Sequence, residues 1–270
     1  MITETTRLYS TTIGALKQHE KDALAIKHYK KASAFFRTQK GMVLSELGKH
    51  QYLFSESYRK LAEESPVQLT AQNWDRIWEE LSRLSNPELE ELVAAAEADG
   101  LIHGAQQLKR LFNVDTTFNL ANPRAVAWFQ LHGGSVHRIA GIQRTTGDQI
   151  RTIITNSINK GWSYNQTAKE ISGKFDGFSR ERAKRIAITE TGNSYEEGNR
   201  LFADSMEDDG IHIEKYWQTS EDDRVSDGCQ ENQDAGWIGL NEYFPSGHQQ
   251  PLRFPGCRCY CIYREASVTA

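Results

Sequence analysis

The 270-residue sequence predicts an α+β protein, mostly helical in its N-terminal and middle regions, ending in a small antiparallel β-rich module that bears the cysteines. Three observations predict this. Apolar residues recur at three- and four-residue steps up to about residue 206, then alternate after Gly210. All four cysteines, Cys229, Cys257, Cys259 and Cys261, fall in the last 42 residues. A framework of bridges spread through a small secreted domain would not look like this, so the cysteines mark one local site.

The first hundred residues are sharply divided in charge. Residues 11–60 hold ten Lys/Arg against four acids, a net +6, whereas residues 61–100 hold ten acids against Arg76 and Arg83, a net -8. Two readings stand open: helical faces that attract each other, or a basic stretch over 14–60 that meets nucleic acid or an acidic partner. On either reading, removal of residues 1–60 is expected to leave a folded core over 120–262. The start lacks the pattern of a secretory leader, and no apolar run approaches the roughly 20 residues of a spanning helix. The expectation is a protein assembled in the cytoplasm with no membrane partner.

The helices follow in order. Thr70 precedes a helix that buries Trp74, Ile77, Trp78 and Leu81, and "SNPE" then signals a new start, with Ser85 as cap, Pro87 in the first turn and Glu88 placed for a capping box. Leu89, Leu92, Val93 and Ala96 form its apolar face. Asn122 and Pro123 open the next helix. The "HGG" at 132–134 should break it, and Ser135 with His137 reads as loop rather than as nucleophile and base. A pattern from Val136 through Ile139, Ile142, Ile150, Ile153, Ile154 and Ile158 runs to Gly161, which suits a helix C-terminus. "SYNQ" at 163–166 is a capping box for a short helix, and Ser179 caps the last long one.

That last helix places Glu190 on a stripe with Ala183, Ile186, Ala187, Ser194, Tyr195, Gly198, Leu201 and Phe202. A buried carboxylate demands a cation or a proton. Arg258 or Arg224 is the expected partner, because a guanidinium offers a rigid fork of donors. Beyond Gly210, "IHIEKYWQTS", "GWIGL" and "CRCYCIYRE" read as strands, separated by turn-rich "SEDDRVSDG" and "FPSGHQQPLRFPG". The domain reading is a helical leader over 1–117 and a second domain over 118–266, helical to 208 and β-rich over 209–266.

The segments "NPRAVAWF", "FSRERAKRIAITETGNSYEEGN", "YWQTSEDDRVSDGCQENQDAGWIGLNEYFPSG" and "FPGCRC" stand in an order that resembles the Mu F-like phage head morphogenesis family of minor head proteins, over about residues 120–262. The resemblance implies a non-enzymatic virion protein present in few copies. It would act in capsid assembly at the portal or the inner capsid, and in DNA packaging or ejection. The implied partners are the portal protein, the major capsid or scaffold protein, and phage DNA. Its motif residues fall here on Asp223, Arg224, Cys229, Gly236, Trp237, Pro255, Cys257, Arg258 and Cys259, to which the chain's own pattern adds Glu190 as a structural residue. Relatives carry His where this chain has Phe254, which is expected to fill apolar space in its place.

The cysteines leave three readings: a structural zinc, a disulfide involving Cys229, or packed thiols. Zinc wants four Cys/His ligands, and Cys229, Cys257, Cys259 and either Cys261 or His248 could supply them once the chain turns at Gly256. No catalytic residue and no certain cofactor is expected. Two alternatives of other classes remain, a nucleic-acid-binding module using residues 14–60 and a metal-dependent nuclease or toxin-like enzyme using Glu190 with Asp222 and Asp223.

Overall fold

The computed structural model describes residues 4–56, 66–114, 118–132 and 136–266. They form, in order, α1 (Glu4–Lys49), a 3-10 turn (Gln51–Phe54), α2 (Pro66–Phe112), α3 (Pro123–His132), α4 (Val136–Asn159), α5 (Tyr164–Asp208), β1 (Ile213–Gln218), α6 (Asp227–Asp234), β2 (Trp237–Gly239) and β3 (Tyr260–Glu265). The α+β class is as the sequence predicts. The three strands form one antiparallel sheet in the order β2-β1-β3.

Several end signals work as their chemistry requires. Asn122 accepts the Arg124 N–H through Oδ1 at 2.9 Å, with Pro123 as the first helical residue. At 163–166 the box is reciprocal: the Ser163 N–H donates to Gln166 Oε1 at 2.8 Å, and the Gln166 N–H donates to Ser163 Oγ at 3.4 Å. Gly161, at φ +68°, ends α4 with the Trp162 N–H on the Ser157 carbonyl and its own N–H on the Ile158 carbonyl, a Schellman closure. The expected break at residues 133–135, including Ser135, lies outside the described residues, as do the side chains of Thr70 and His137.

Two expected helix boundaries are not boundaries. Pro87 sits inside a continuous α2, although it supplies no N–H to the Arg83 carbonyl. The cap signals around it are used sideways instead. Gln143 Nε2 donates to Ser85 Oγ and Asn86 Oδ1, both at 3.0 Å, and Gln39 Nε2 donates to Gln143 Oε1 at 2.8 Å. Likewise Ser179 caps nothing, because α5 runs unbroken from Tyr164. Gly173 and Gly177 lower its helical propensity without forbidding it.

The chain divides into two compact units, neither of them continuous: residues 1–30, 93–133 and 184–270 form one, and residues 31–92 and 134–183 the other. The expected division into 1–117 and 118–266 therefore does not describe the packing. The second unit has its own core, in which Phe35, Phe36, Trp74, Trp78, Leu81, Leu89, Ile150, Ile154 and Phe175 are buried. There Trp74 Nε1 and Trp78 Nε1 donate to the carbonyls of Gly147 and Gln143 on α4.

In the first unit α2 and α5 meet at unusually short range. A Cβ added to Gly104 would fall inside the van der Waals shell of the Tyr195 carbonyl oxygen, and one added to Gly198 would do the same at the Leu101 carbonyl. Backbone cannot yield there. Gly198→Ala is accordingly expected to lower the unfolding free energy by about 1–3 kcal/mol. Gly173, exposed on the same helix with nothing within 4 Å of an added Cβ, should respond oppositely, Gly173→Ala raising it by about 0.5–1 kcal/mol. Urea midpoints of the two variants check the pair; changes of the same sign would show that helical propensity, not close approach, governs Gly198.

Candidate functional site

Strand β3 is an edge strand, paired through Cys261↔Trp217 and its neighbours to β1. An unpaired edge leaves buried N–H and C=O groups that need partners. Here charged side chains take the place of a further strand. The Cys261 N–H donates to Glu196 Oε2 at 3.0 Å, Lys17 Nζ donates to the Cys261 carbonyl at 2.5 Å, and Lys21 Nζ donates to the Cys259 carbonyl at 2.9 Å. The two ammonium groups then close on the carboxylate itself, Lys17 at 3.1 Å from Oε2 and Lys21 at 3.0 Å from Oε1. All three side chains are buried. The Lys17 ammonium also lies over the rings of Tyr195, Tyr260 and Tyr263 at 5.4–5.9 Å.

The electrostatics follow from this geometry. Burial would raise the Glu196 carboxyl, but the charges of Lys17 and Lys21 win and hold it below the usual carboxylate range. Burial pulls Lys17 downward against the Glu196 charge. Alongside, the Tyr195 hydroxyl donates to Glu20 Oε2 at 2.7 Å, and Arg110 pairs with the other oxygen of Glu20.

The same face of α5 holds the loop leading into β3. Asn193 Oδ1 accepts the Leu252 N–H at 3.3 Å, Thr189 Oγ1 accepts the Gly256 N–H at 3.1 Å, and Glu197 Oε2 accepts from Gln250 Nε2 at 2.8 Å. Residues 254–257 make a type II turn: the Cys257 N–H reaches the Phe254 carbonyl at 3.0 Å, Pro255 stands second, and Gly256 takes φ +85°. The polar run "TETGNSYEEGN" is thus a docking face for backbone.

The predicted site residues are placed as follows. Glu190 is buried, but Arg258 and Arg224 direct their guanidinium groups to Asp222 instead. Arg258 grips Asp222 with two contacts of 2.5 and 2.7 Å and holds its carboxyl well below the usual range. Asp223 is exposed beside it. Trp237 packs against Tyr216 with the rings tilted and 5.5 Å between centroids, and lies under the Arg264 guanidinium at 4.1 Å. Periodicity missed Glu196, Lys17 and Lys21; the signal for Glu196 was its place in a helix segment crowded with polar residues yet flanked by apolar ones.

The cysteines divide. Strand β3 begins only at Tyr260, so Cys257 and Cys259 lie in the approach to it and converge on Cys229, which the first turn of α6 carries. Their three sulfurs lie within 4.8 Å of one another, with Cys229 and Cys257 4.0 Å apart. The Cys259 side chain beside it holds the Cys257 thiol below its ordinary range, and Cys259 is pushed up in turn. Cys261 stands apart, and burial pushes its thiol up to about 12. His248 is not among the converging ligands; its Nδ1 lies 3.0 Å from both Ser246 Oγ and the Ser246 carbonyl. Phe254 does not fill apolar space: it is 41% exposed and lines a cavity of about 170 Å³ beside the three sulfurs.

The arrangement defines an α+β protein in which one helix clamps the backbone of a cysteine-bearing C-terminal segment. Residues 148–262, which include all of β1 to β2 and most of that clamp, match the family model described as Phage Mu protein F like protein, so this segment is similar to that family. The match begins later than the resemblance over 120–262 read from the motifs. No curated protein and no solved structure matches the chain. No helix among the described residues is long and apolar enough to cross a membrane.

Glu196→Gln would leave two buried ammonium groups without a countercharge and is expected to cost about 3–5 kcal/mol, read from chemical denaturation. The exposed pair Arg83–Glu80 serves as control, and Glu80→Gln should leave the midpoint in place. The acid limb gives a second check. Because the folded pKa of Glu196 lies below its unfolded value of about 4.3, the unfolded state takes up the proton first. The contribution is complete above that value and is lost as pH falls through it toward the folded pKa. A stability profile of Glu196→Gln should be flatter than wild type over that interval, and identical profiles would refute the assignment.

Proposed function

We propose that this chain is a phage minor head protein that acts in head morphogenesis, docking at the portal or the inner capsid, with a structural rather than a catalytic task. The observation that carries the reading is the match over residues 148–262. Within that segment the motif residues are engaged in holding the fold: Thr189, Asn193, Glu196 and Glu197 bind backbone and side chains of residues 250–261, and Arg258 holds Asp222. An Asp222 carboxylate gripped by two guanidinium nitrogens is poorly placed to carry a nuclease metal, which weighs against the enzyme reading.

The nucleic-acid reading loses much of its basic stretch. Lys17 and Lys21 are buried on Glu196, Lys27 pairs with Asp99 at 2.5 Å, and Lys40 pairs with Asp176 at 2.7 Å. Among the described residues of the stretch, Lys27, Lys30, Lys31, Arg37 and Lys49 are exposed, and Lys27 and Lys49 are paired with Asp99 and Glu46, which weighs against a steep salt dependence.

The test compares heads assembled with the gene intact and interrupted. Mass spectrometry of purified heads should find the chain in few copies beside the major capsid protein, and its loss should yield heads that fail in assembly, packaging or ejection. Fully infectious heads lacking the chain would overturn the proposal.

A further inference from the structure

We infer that Cys229, Cys257 and Cys259 form a three-thiolate site for one zinc ion, whose fourth corner faces the cavity lined by Phe254. The geometry is close to what such an ion needs. With Zn–S bonds of about 2.3 Å at tetrahedral angles, sulfurs stand about 3.8 Å apart; here one pair is at 4.0 Å and all three fall within 4.8 Å. Side-chain adjustments of under an ångström bring them onto a common centre. Thiols that merely fill a core would spread among apolar neighbours, whereas these three, from two separate segments, aim at one point.

The surroundings suit a thiolate cluster. Cys229 lies in the first turn of α6, where the helix end favours negative charge. Three thiolates around a divalent ion leave one negative charge. Arg224 and Arg258 line the same cavity, and the Arg253 guanidinium packs on Gly228, next to Cys229.

The fourth corner distinguishes this site from a closed four-residue clasp. The cavity of about 170 Å³ is lined by Ser220, Val225, Ser226, Phe254, Gly256 and the two arginines besides the cysteines, and no histidine or carboxylate lines it. His248 is turned to Ser246 and Cys261 lies apart in β3. The fourth ligand is therefore solvent or a small donor entering from the cavity.

The full chain, purified under reducing conditions, should contain one zinc per chain by elemental analysis. Replacing zinc with Co²⁺ should give a thiolate-to-cobalt charge-transfer absorption. Cys229→Ser and Cys259→Ser should lose it, and Cys261→Ala should keep it. Phe254→His, a change at an exposed cavity wall that does not threaten the core, should convert the site to four protein ligands and tighten Co²⁺ binding at least tenfold. Absence of zinc and of any cobalt absorption in the reduced wild-type chain would overturn the site, as would a Cys229–Cys257 disulfide that takes up no metal once reduced. Retention of the absorption in Cys229→Ser would overturn the ligand set, and unchanged affinity in Phe254→His would overturn the position of the fourth corner.

Discussion

Among the buried acids of the first unit, one ties its N-terminal helix to its C-terminal strand. Glu196 balances Lys17 and Lys21, and the three side chains together satisfy the outer edge of β3 at Cys259 and Cys261. Without them the edge would expose unpaired backbone to an apolar core or offer it to another chain. The arrangement also makes the N-terminal helix integral to the C-terminal module. A leader that supplies two buried cations is not dispensable, so the expectation that residues 1–60 could be removed without harm fails on Lys17 and Lys21. Buried ion pairs seldom surpass apolar packing in stability. What this one supplies is register: an ammonium group finds its partner at one position along the edge and at no neighbouring one.

Much of the fold was legible because it rests on period and caps. Trp74, Trp78, Leu89, Ile150 and Ile154 are buried as their spacing implied, and Asn122, Ser163 and Gly161 sit at the ends their chemistry requires. The helix boundaries at Ser85 and Ser179 were not legible. A stop signal is local, whereas continuity is decided by what the flanking turns bury, and Gln143 meets Ser85 and Asn86 from another helix. Charge pairing failed for a related reason. From Ile186 to Ala203 nearly every position of α5 is buried, so a single apolar stripe could not separate Glu190 from Glu196, and the cations lie some 175 residues away in sequence.

The cysteines show how one backbone event redirects a side-chain pattern. Spaced at every second residue, Cys257, Cys259 and Cys261 would share a face of a regular strand. The strand begins at Tyr260, after the turn at Gly256. Two sulfurs are thereby delivered to Cys229, while the third enters a strand whose buried run extends from Tyr260 through Tyr263. His248, in a different turn, is held by Ser246. Its distance from the sulfurs could not be read from composition.

The turn and the clamp are parts of one contact. Thr189 holds the Gly256 N–H, Asn193 holds the Leu252 N–H, and Glu196 holds the Cys261 N–H, so neighbouring turns of α5 bind three separate points of the segment that delivers Cys257 and Cys259. Two stretches about sixty residues apart, "TETGNSYEEGN" and "PGCRC", are therefore the two halves of a single interface within the first unit. Their residue types follow from that task. Thr, Asn and Glu present acceptors to backbone donors, and glycine at 198 brings α5 against the Leu101 carbonyl so that its opposite face can reach the loop. A sequence that keeps one half has reason to keep the other, because a docking face without its backbone ligand would leave buried acceptors unpaired.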